Sequence, residues 1–253
     1  MVEKTALVLS AGGMFGAYQA GAWQVLAKCF RPDIVVGASV GALNGWAIAG
    51  GCPPEELIGQ WLNPGWAPVA GRRWAPPWRG MLDGAALHQA IRRLWSQYRP
   101  RSAVAVVVTD LVRLQPRLFC NDEIRWQHLA ASCAAPFCYP LVRVEGRLYA
   151  DGGLLAPAPV WAAVAMGATR VVLVHLLARP ASRLLGAAMR ALRTLVPAGR
   201  RAPHNAAILT IAPHQPLGRL RDSLLWNATN IERWIEQGRR DARQVLEALQ
   251  RFP

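Results

Sequence analysis

Twice within its first fifty residues the chain runs from a short apolar stretch into a glycine-rich turn and then directly into a helix. Thr5–Leu9 gives way to Ser10-Ala11-Gly12-Gly13-Met14-Phe15-Gly16, and small and apolar residues then recur at helical spacing over Ala17–Cys29. Asp33–Val36 gives way to Gly37-Ala38-Ser39-Val40-Gly41, and Val40–Ala49 reads as a helix so apolar that it must be buried. Short β-rich runs alternating with helical stretches point to the α/β class.

The same alternation continues. Leu82–Gln97 has helical periodicity, and Ala103–Thr109 is a β-branched run typical of a buried parallel strand. Val142–Tyr149 alternates on both sides of Glu145-Gly146, which predicts a hairpin. Val160–Met166 reads as helix and Arg170–Leu176 as another buried strand. Beyond Leu177 the pattern predicts a basic amphipathic helix over Ser182–Val196, a loop over Arg201–His204 and a final strand at Ala207–Ile211. A long terminal helix follows, capped by Asp222 and carrying Leu225, Ala228, Ile231, Trp234 and Ile235. Pro53–Gly80, with its prolines and Trp61, Trp66, Trp74 and Trp78, reads as irregular, and long irregular segments in compact domains are usually functional or mobile. No linker interrupts the series, so a single domain is expected over residues 1–253.

Apolar types make up 53% of the 253 residues and charged types 17%, enough to bury a sizeable core and against disorder. The net charge is +14, and with Lys4 and Lys28 the only lysines, 29 − 2 = 27 of the basic residues are arginines. Such an excess favours anionic partners, although coding bias would give the same composition. No zinc-finger spacing or aromatic RNA-binding signature appears, so no nucleic acid partner is expected. Cys29, Cys52, Cys120, Cys133 and Cys138 have neither metal-ligand nor CxxC spacing and read as buried hydrophobes in a reducing compartment. The run Ala6–Leu9 is too short for a signal peptide, and no uncharged apolar run is long enough to span a bilayer. The expected location is therefore cytoplasmic, with peripheral contact to an anionic membrane as a further option.

Gly37-Ala38-Ser39-Val40-Gly41 is a G-x-S-x-G pentapeptide between a strand and a helix. A strand that reverses sharply into a helix crowds the residues two before and two after its tip. Gly37 and Gly41 meet that need and leave Ser39 exposed at the tip as a candidate nucleophile. The helix that follows adds free amides and partial positive charge beside it. The first glycine loop also joins a strand to a helix. It lacks the G-x-G-x-x-G dinucleotide fingerprint, and Asp33 lies on the wrong side of its strand for a ribose contact. Beside a serine elbow, the amides of Gly12 and Gly13 are better used as an oxyanion hole. The base is open at this level. His204 and His214 could close a triad of order Ser…Asp…His, His175 beside its apolar strand reads as a core residue, and Asp151 in Ala150-Asp151-Gly152-Gly153 is the other candidate.

From residue 5 to 176 the chain resembles the patatin-like phospholipases. The resemblance rests on three motifs in the family's order: a glycine-rich loop after the first strand, the G-x-S-x-G elbow after the second, and the late Asp151-Gly152-Gly153. Ala130-Ala131-Ser132-Cys133-Ala134-Ala135-Pro136, Tyr139-Pro140-Leu141-Val142 and Pro159-Val160 also follow the family pattern. The resemblance implies a three-layer α/β/α fold with a mostly parallel central sheet, the motifs lying in 5–176 and a helical part in 177–253. It implies a Ser39–Asp151 dyad with no catalytic histidine, and an oxyanion hole of Gly12, Gly13 and the Val40 amide. The reaction implied is hydrolysis of fatty-acyl esters through an acyl-enzyme, with no cofactor and no metal. An acyltransferase on the same dyad, or a catalytically weak membrane-binding scaffold, are the alternatives. Two departures stand out. The family loop reads G-G-G-x-R-G, whereas here its first glycine is Ala11 and its arginine is Phe15; and the Asn often found after the D-G-G is Pro157.

Overall fold

A computed structural model describes residues 3–63, 82, 84–179, 187 and 206–251 of the chain. The apolar runs form strands buried on both faces. In chain order the elements are β1 (Thr5–Leu9), α1 (Gly16–Leu26), β2 (Ile34–Ala38), α2 (Val40–Ala49), α3 (Pro54–Leu62), α4 (Gly84–Gln97), β3 (Ala103–Asp110) and β4 (Gln115–Cys120). Then come α5 (Trp126–Ser132), β5 (Val142–Val144), β6 (Arg147–Asp151), α6 (Val160–Ala165), β7 (Arg170–Val174), β8 (Ala207–Ile211), α7 (Ala228–Gln244) and α8 (Leu246–Gln250). One sheet joins all eight strands. β8, β7, β1, β2 and β3 run parallel side by side, whereas β4 and the β5–β6 hairpin pair antiparallel.

β3 organises the site. β4 pairs along Ala105–Asp110 of β3, overlapping the stretches that pair with β2 (Ala103–Val107) and with β6 (Val108–Asp110). A strand has two edges, so β2 and β6 share the edge that β4 leaves free. β6 therefore continues along β3 where β2 turns away. Ala38 pairs with Val107 and Asp151 with Val108, the next residue. The end of β6 is thereby set against the elbow that ends β2. On the other side, Leu9 pairs with Gly37, so the loops after β1 and β2 leave the sheet together.

Alternate residues of the strands feed two cores. Leu7, Leu9, Val35, Val104, Val106 and Val172 face α1, α2 and α7 in the larger. Ala6, Val8, Val36, Ala105, Val107 and Val171 face α6 in the smaller. This is the expected three-layer α/β/α arrangement with a mostly parallel sheet. α1 and α7 pack unusually close: a Cβ on Gly21 would lie 2.0 Å from the Ile235 carbonyl oxygen, and one on Gly238 2.1 Å from that of Tyr18. Beside them the Tyr18 hydroxyl donates to Asp241 Oδ2 at 2.8 Å in a buried hydrogen bond.

Some expectations are corrected. Pro54–Leu62, read as irregular, is helical, because proline suits the first turn of a helix and Glu55 and Glu56 complement its amino end. Asp222 does not cap the terminal helix. Its carboxylate accepts from the Arg219 amide at 2.7 Å in a short 3-10 turn, and Asn227 caps α7 by accepting from the Asn230 amide at 3.0 Å. Leu225 lies before that helix and is exposed. Apart from Ala187, which is helical, the basic helix expected over Ser182–Val196 lies outside the described residues, as do the Arg201–His204 loop and the Trp66–Trp78 stretch.

Candidate active site

Ser39 sits at the tip of the β2–α2 turn with φ 56° and ψ −129°, a conformation rarely adopted by side-chain-bearing residues. The flanking glycines make it possible. A Cβ on Gly37 would lie 2.2 Å from the Gly41 carbonyl oxygen, and one on Gly41 2.2 Å from that of Leu9. Ser39 Oγ donates to Asp151 Oδ2 at 2.6 Å, and Asp151 Oδ1 accepts from the Gly153 amide at 2.6 Å. Both side chains are buried, 7% and 9% exposed. Burial pushes the Asp151 carboxyl up to about 6; the hydrogen bonds from Ser39 and the Gly153 amide pull it the other way.

A residue the sequence did not single out fixes the backbone of Ser39. Ser132, fully buried at the end of α5, accepts from the Ser39 amide at 2.8 Å and donates to the Val107 carbonyl at 2.7 Å. Its signal lay in the stretch Ala130–Pro136, but nothing local shows which backbone it meets. Cys133, next to it, is buried beside Ser39, and burial pushes its thiol well up.

The first glycine loop stands beside the elbow. The amides of Gly12 and Gly13 donate to no protein acceptor among the described residues, and Val40 opens α2, where the first amides have no helical partner. A buried polar chain braces this loop. Trp61 Nε1 donates to Asn44 Oδ1 at 3.1 Å, Asn44 Nδ2 to Gln19 Oε1 at 2.9 Å, and Gln19 Nε2 to the Ser10 carbonyl at 2.8 Å. Phe15, at the family's arginine position, is buried and meets Trp234 of α7 edge-on, ring centroids 4.9 Å apart. The loop is thus held by amide hydrogen bonds and aromatic packing.

These groups share a cavity of about 320 Å³. Its walls are largely apolar, with Met14, Leu43, Leu87, Leu154, Leu177 and Leu224 among them. No histidine and no cation is among the described residues that line it. His88 faces Trp126, His128 accepts from the Arg125 amide, and His214 pairs with Gln244 at the surface. His175 binds the Ile211 carbonyl through its backbone amide, and His204 lies outside the described residues. Ser39, Asp151, Gly12, Gly13 and Val40, named from the sequence, therefore converge on one cavity, and none of the four described histidines joins them.

Residues 7–164 match the sequence profile described as patatin-like phospholipase. The chain belongs to the patatin-like phospholipase family. It is 26% identical over 190 residues to patatin-like phospholipase domain-containing protein 7 of Rattus norvegicus and, to the same extent, of Mus musculus. Those alignments cover 66% of this chain but 13% of the relatives' length. Among solved structures, VipD from Legionella pneumophila superposes with a TM-score of 0.58 at 15% identity, over 98% of this chain and 67% of VipD. That likeness shows the patatin fold. Membership of a phospholipase family supports lipid hydrolysis as the general class of activity. Among the described residues no helix is long and apolar enough to cross a membrane.

Proposed function

We propose that the chain is a serine lipid acyl hydrolase that cleaves fatty-acyl esters through an acyl-enzyme on Ser39. The observation that carries this reading is the 2.6 Å contact of Ser39 Oγ with Asp151 at the wall of an apolar cavity. Asp151 takes the hydroxyl proton as Ser39 Oγ forms its bond to the ester carbonyl carbon. The carbonyl oxygen becomes an oxyanion within reach of the Gly12, Gly13 and Val40 amides, which are fixed in place before charge develops. The tetrahedral intermediate collapses, the alcohol leaves with the proton from Asp151, and the acyl group stays on Ser39. Water then repeats the cycle: it gives a proton to Asp151, adds to the acyl carbon and releases the fatty acid as Ser39 recovers its proton.

The substrate class follows from the walls. An acyl chain gains by leaving water for a leucine- and methionine-lined cavity. A charged head group gains nothing there, since no described lining residue is cationic, and stays at the mouth. Hydrolysis of phospholipids, lysophospholipids, glycerides and short p-nitrophenyl esters by wild type and Ser39→Ala tests the proposal. The wild type should release fatty acid and react with a fluorophosphonate probe, and Ser39→Ala should do neither while remaining folded. Turnover by Ser39→Ala above a tenth of wild type would overturn it.

A further inference from the structure

Exposed apolar side chains stand on or next to residues that line this cavity. Leu220 lines the cavity yet is 61% exposed. Phe137 stands between the lining residues Pro136 and Cys138 and is 64% exposed, and Leu225 follows the lining residue Leu224 and is 53% exposed. Phe137 also has φ 66°, a left-handed backbone that is costly for a bulky side chain. A strained backbone that holds an aromatic ring out into water is not explained by the packing of the free protein. Leu220 is flanked by Arg219 and Arg221, both exposed. The one acid of this turn, Asp222, meets Arg221 at 3.5 Å through Oδ1 and accepts from the Arg219 amide through Oδ2, so a single carboxylate stands against two arginines. The turn itself is anchored, because Trp226 Nε1 donates to the Trp61 carbonyl at 3.1 Å.

We infer that this rim is a docking surface for an anionic lipid interface. Phe137, Leu220 and Leu225 enter the acyl layer while Arg219 and Arg221 meet the phosphates above it. Apolar side chains beside long basic ones suit that boundary, and the chain's net charge of +14 adds a long-range attraction. The inference rests on the acyl-hydrolase reading and gives it a path: an acyl chain passes from the bilayer along Leu220 to Ser39 without crossing water. One carboxylate, Asp222, serves this turn, so the two guanidinium groups keep an excess of positive charge that a neutral surface would not meet, and this selects an anionic one.

The test is co-sedimentation of the full chain with phosphatidylcholine vesicles and with vesicles of equal parts phosphatidylcholine and phosphatidylglycerol, each at low and high salt. Two variants are compared. Phe137→Asn removes the ring and places at a left-handed position a residue that tolerates it. Arg219→Ser/Arg221→Ser removes the cations outside the cavity. Wild type should prefer the anionic vesicles, and the preference should fade with salt. The double arginine variant should bind them weaker by about 5-fold for each arginine. Phe137→Asn should bind both vesicle types more weakly. Both variants should hydrolyse a soluble p-nitrophenyl ester at the wild-type rate, which reports an intact fold and site. Equal wild-type binding to the two vesicle types at low salt overturns the inference. So does wild-type affinity in both variants, or a dimer of the free protein that Phe137→Asn dissolves. Selective vesicle binding without any ester hydrolysis would instead retain the surface and reject the hydrolase reading.

Discussion

Ser132 holds Ser39 by its backbone: its Oγ accepts from the Ser39 amide at 2.8 Å while passing its own proton to the Val107 carbonyl at 2.7 Å. The strained elbow is thereby tied to the strand whose next residue, Val108, pairs with Asp151. One hydroxyl links Ser39, the sheet and, through Val108, Asp151.

Ser132→Ala should leave a buried amide and a buried carbonyl unpaired and cost about 1–3 kcal/mol of stability. The protein should still fold, but the elbow should relax away from Asp151. Single-turnover labelling of Ser39 by a fluorophosphonate at a temperature where the variant is folded should slow, with KM for a soluble ester unchanged. Equal labelling rates would show that Ser132 matters for stability alone.

Asp151→Asn should separate activity from stability. Asparagine keeps the Gly153 hydrogen bond but cannot take a proton, so kcat should fall by about 10² or more. At pH 8 the wild type buries an ionised carboxylate that its environment disfavours, and the variant does not. Its Tm at pH 8 should therefore match or exceed that of the wild type. A lower Tm would mean that the hydrogen bond from Ser39 outweighs the burial.

The same group sets a pH dependence. The proposed reaction needs ionised Asp151, so kcat/KM should decline as pH falls through about 6. Stability runs the opposite way. The folded carboxyl, held above its unfolded value of 3.8, keeps a proton that the unfolded chain has released. Stability therefore falls as pH rises from near 4 to near 6, and the loss is complete above that. Thermal melts of wild type and Asp151→Asn across this window should diverge as pH rises. His175→Ala and His214→Ala should leave the acid limb of the rate profile in place.

Phe15→Arg would restore the residue that the family loop carries, yet it should harm this chain. Position 15 is 4% exposed and packs on the Trp234 ring, so a guanidinium there is buried without an anionic partner, at a cost of about 3–5 kcal/mol. A drop in Tm together with lost ester hydrolysis is expected, whereas Phe15→Leu should keep most of both. Enhanced activity in Phe15→Arg at unchanged Tm would show that the loop tolerates the family arrangement.

How much of this was legible beforehand differs by residue. Strands β1, β2, β3 and β7 and the Ser39 elbow announce themselves because their signals are local: an apolar run, then glycines where backbones nearly touch. Asp151 does not. Asp-Gly-Gly is a common turn, and 112 positions separate it from Ser39, so only the family resemblance named it as the partner. The register of β6 on β3 brings the two together, and no local spacing encodes it. Ser132 was hidden for the same reason, since its worth depends on where α5 docks. The prolines before α3 disguised a helix start as a break. The fit of Phe15 needed Trp234, from a helix whose partner face no periodicity identifies.

The close approach of α1 and α7 bears on where this molecule can be cut. The family match stops at residue 164, yet Gly21 lies flat against a backbone that begins more than sixty positions later, and the Tyr18 hydroxyl ends on Asp241. A fragment stopped at the family boundary would keep both Ser39 and Asp151. It would lose β7 and β8 from one side of the sheet, the Trp234 ring beneath the first glycine loop, and the Leu220–Leu224 wall of the cavity. Sequence likeness thus outlines a shorter object than the one whose surfaces fit together, and grafting or truncation should follow the helix contact in place of the alignment's edge.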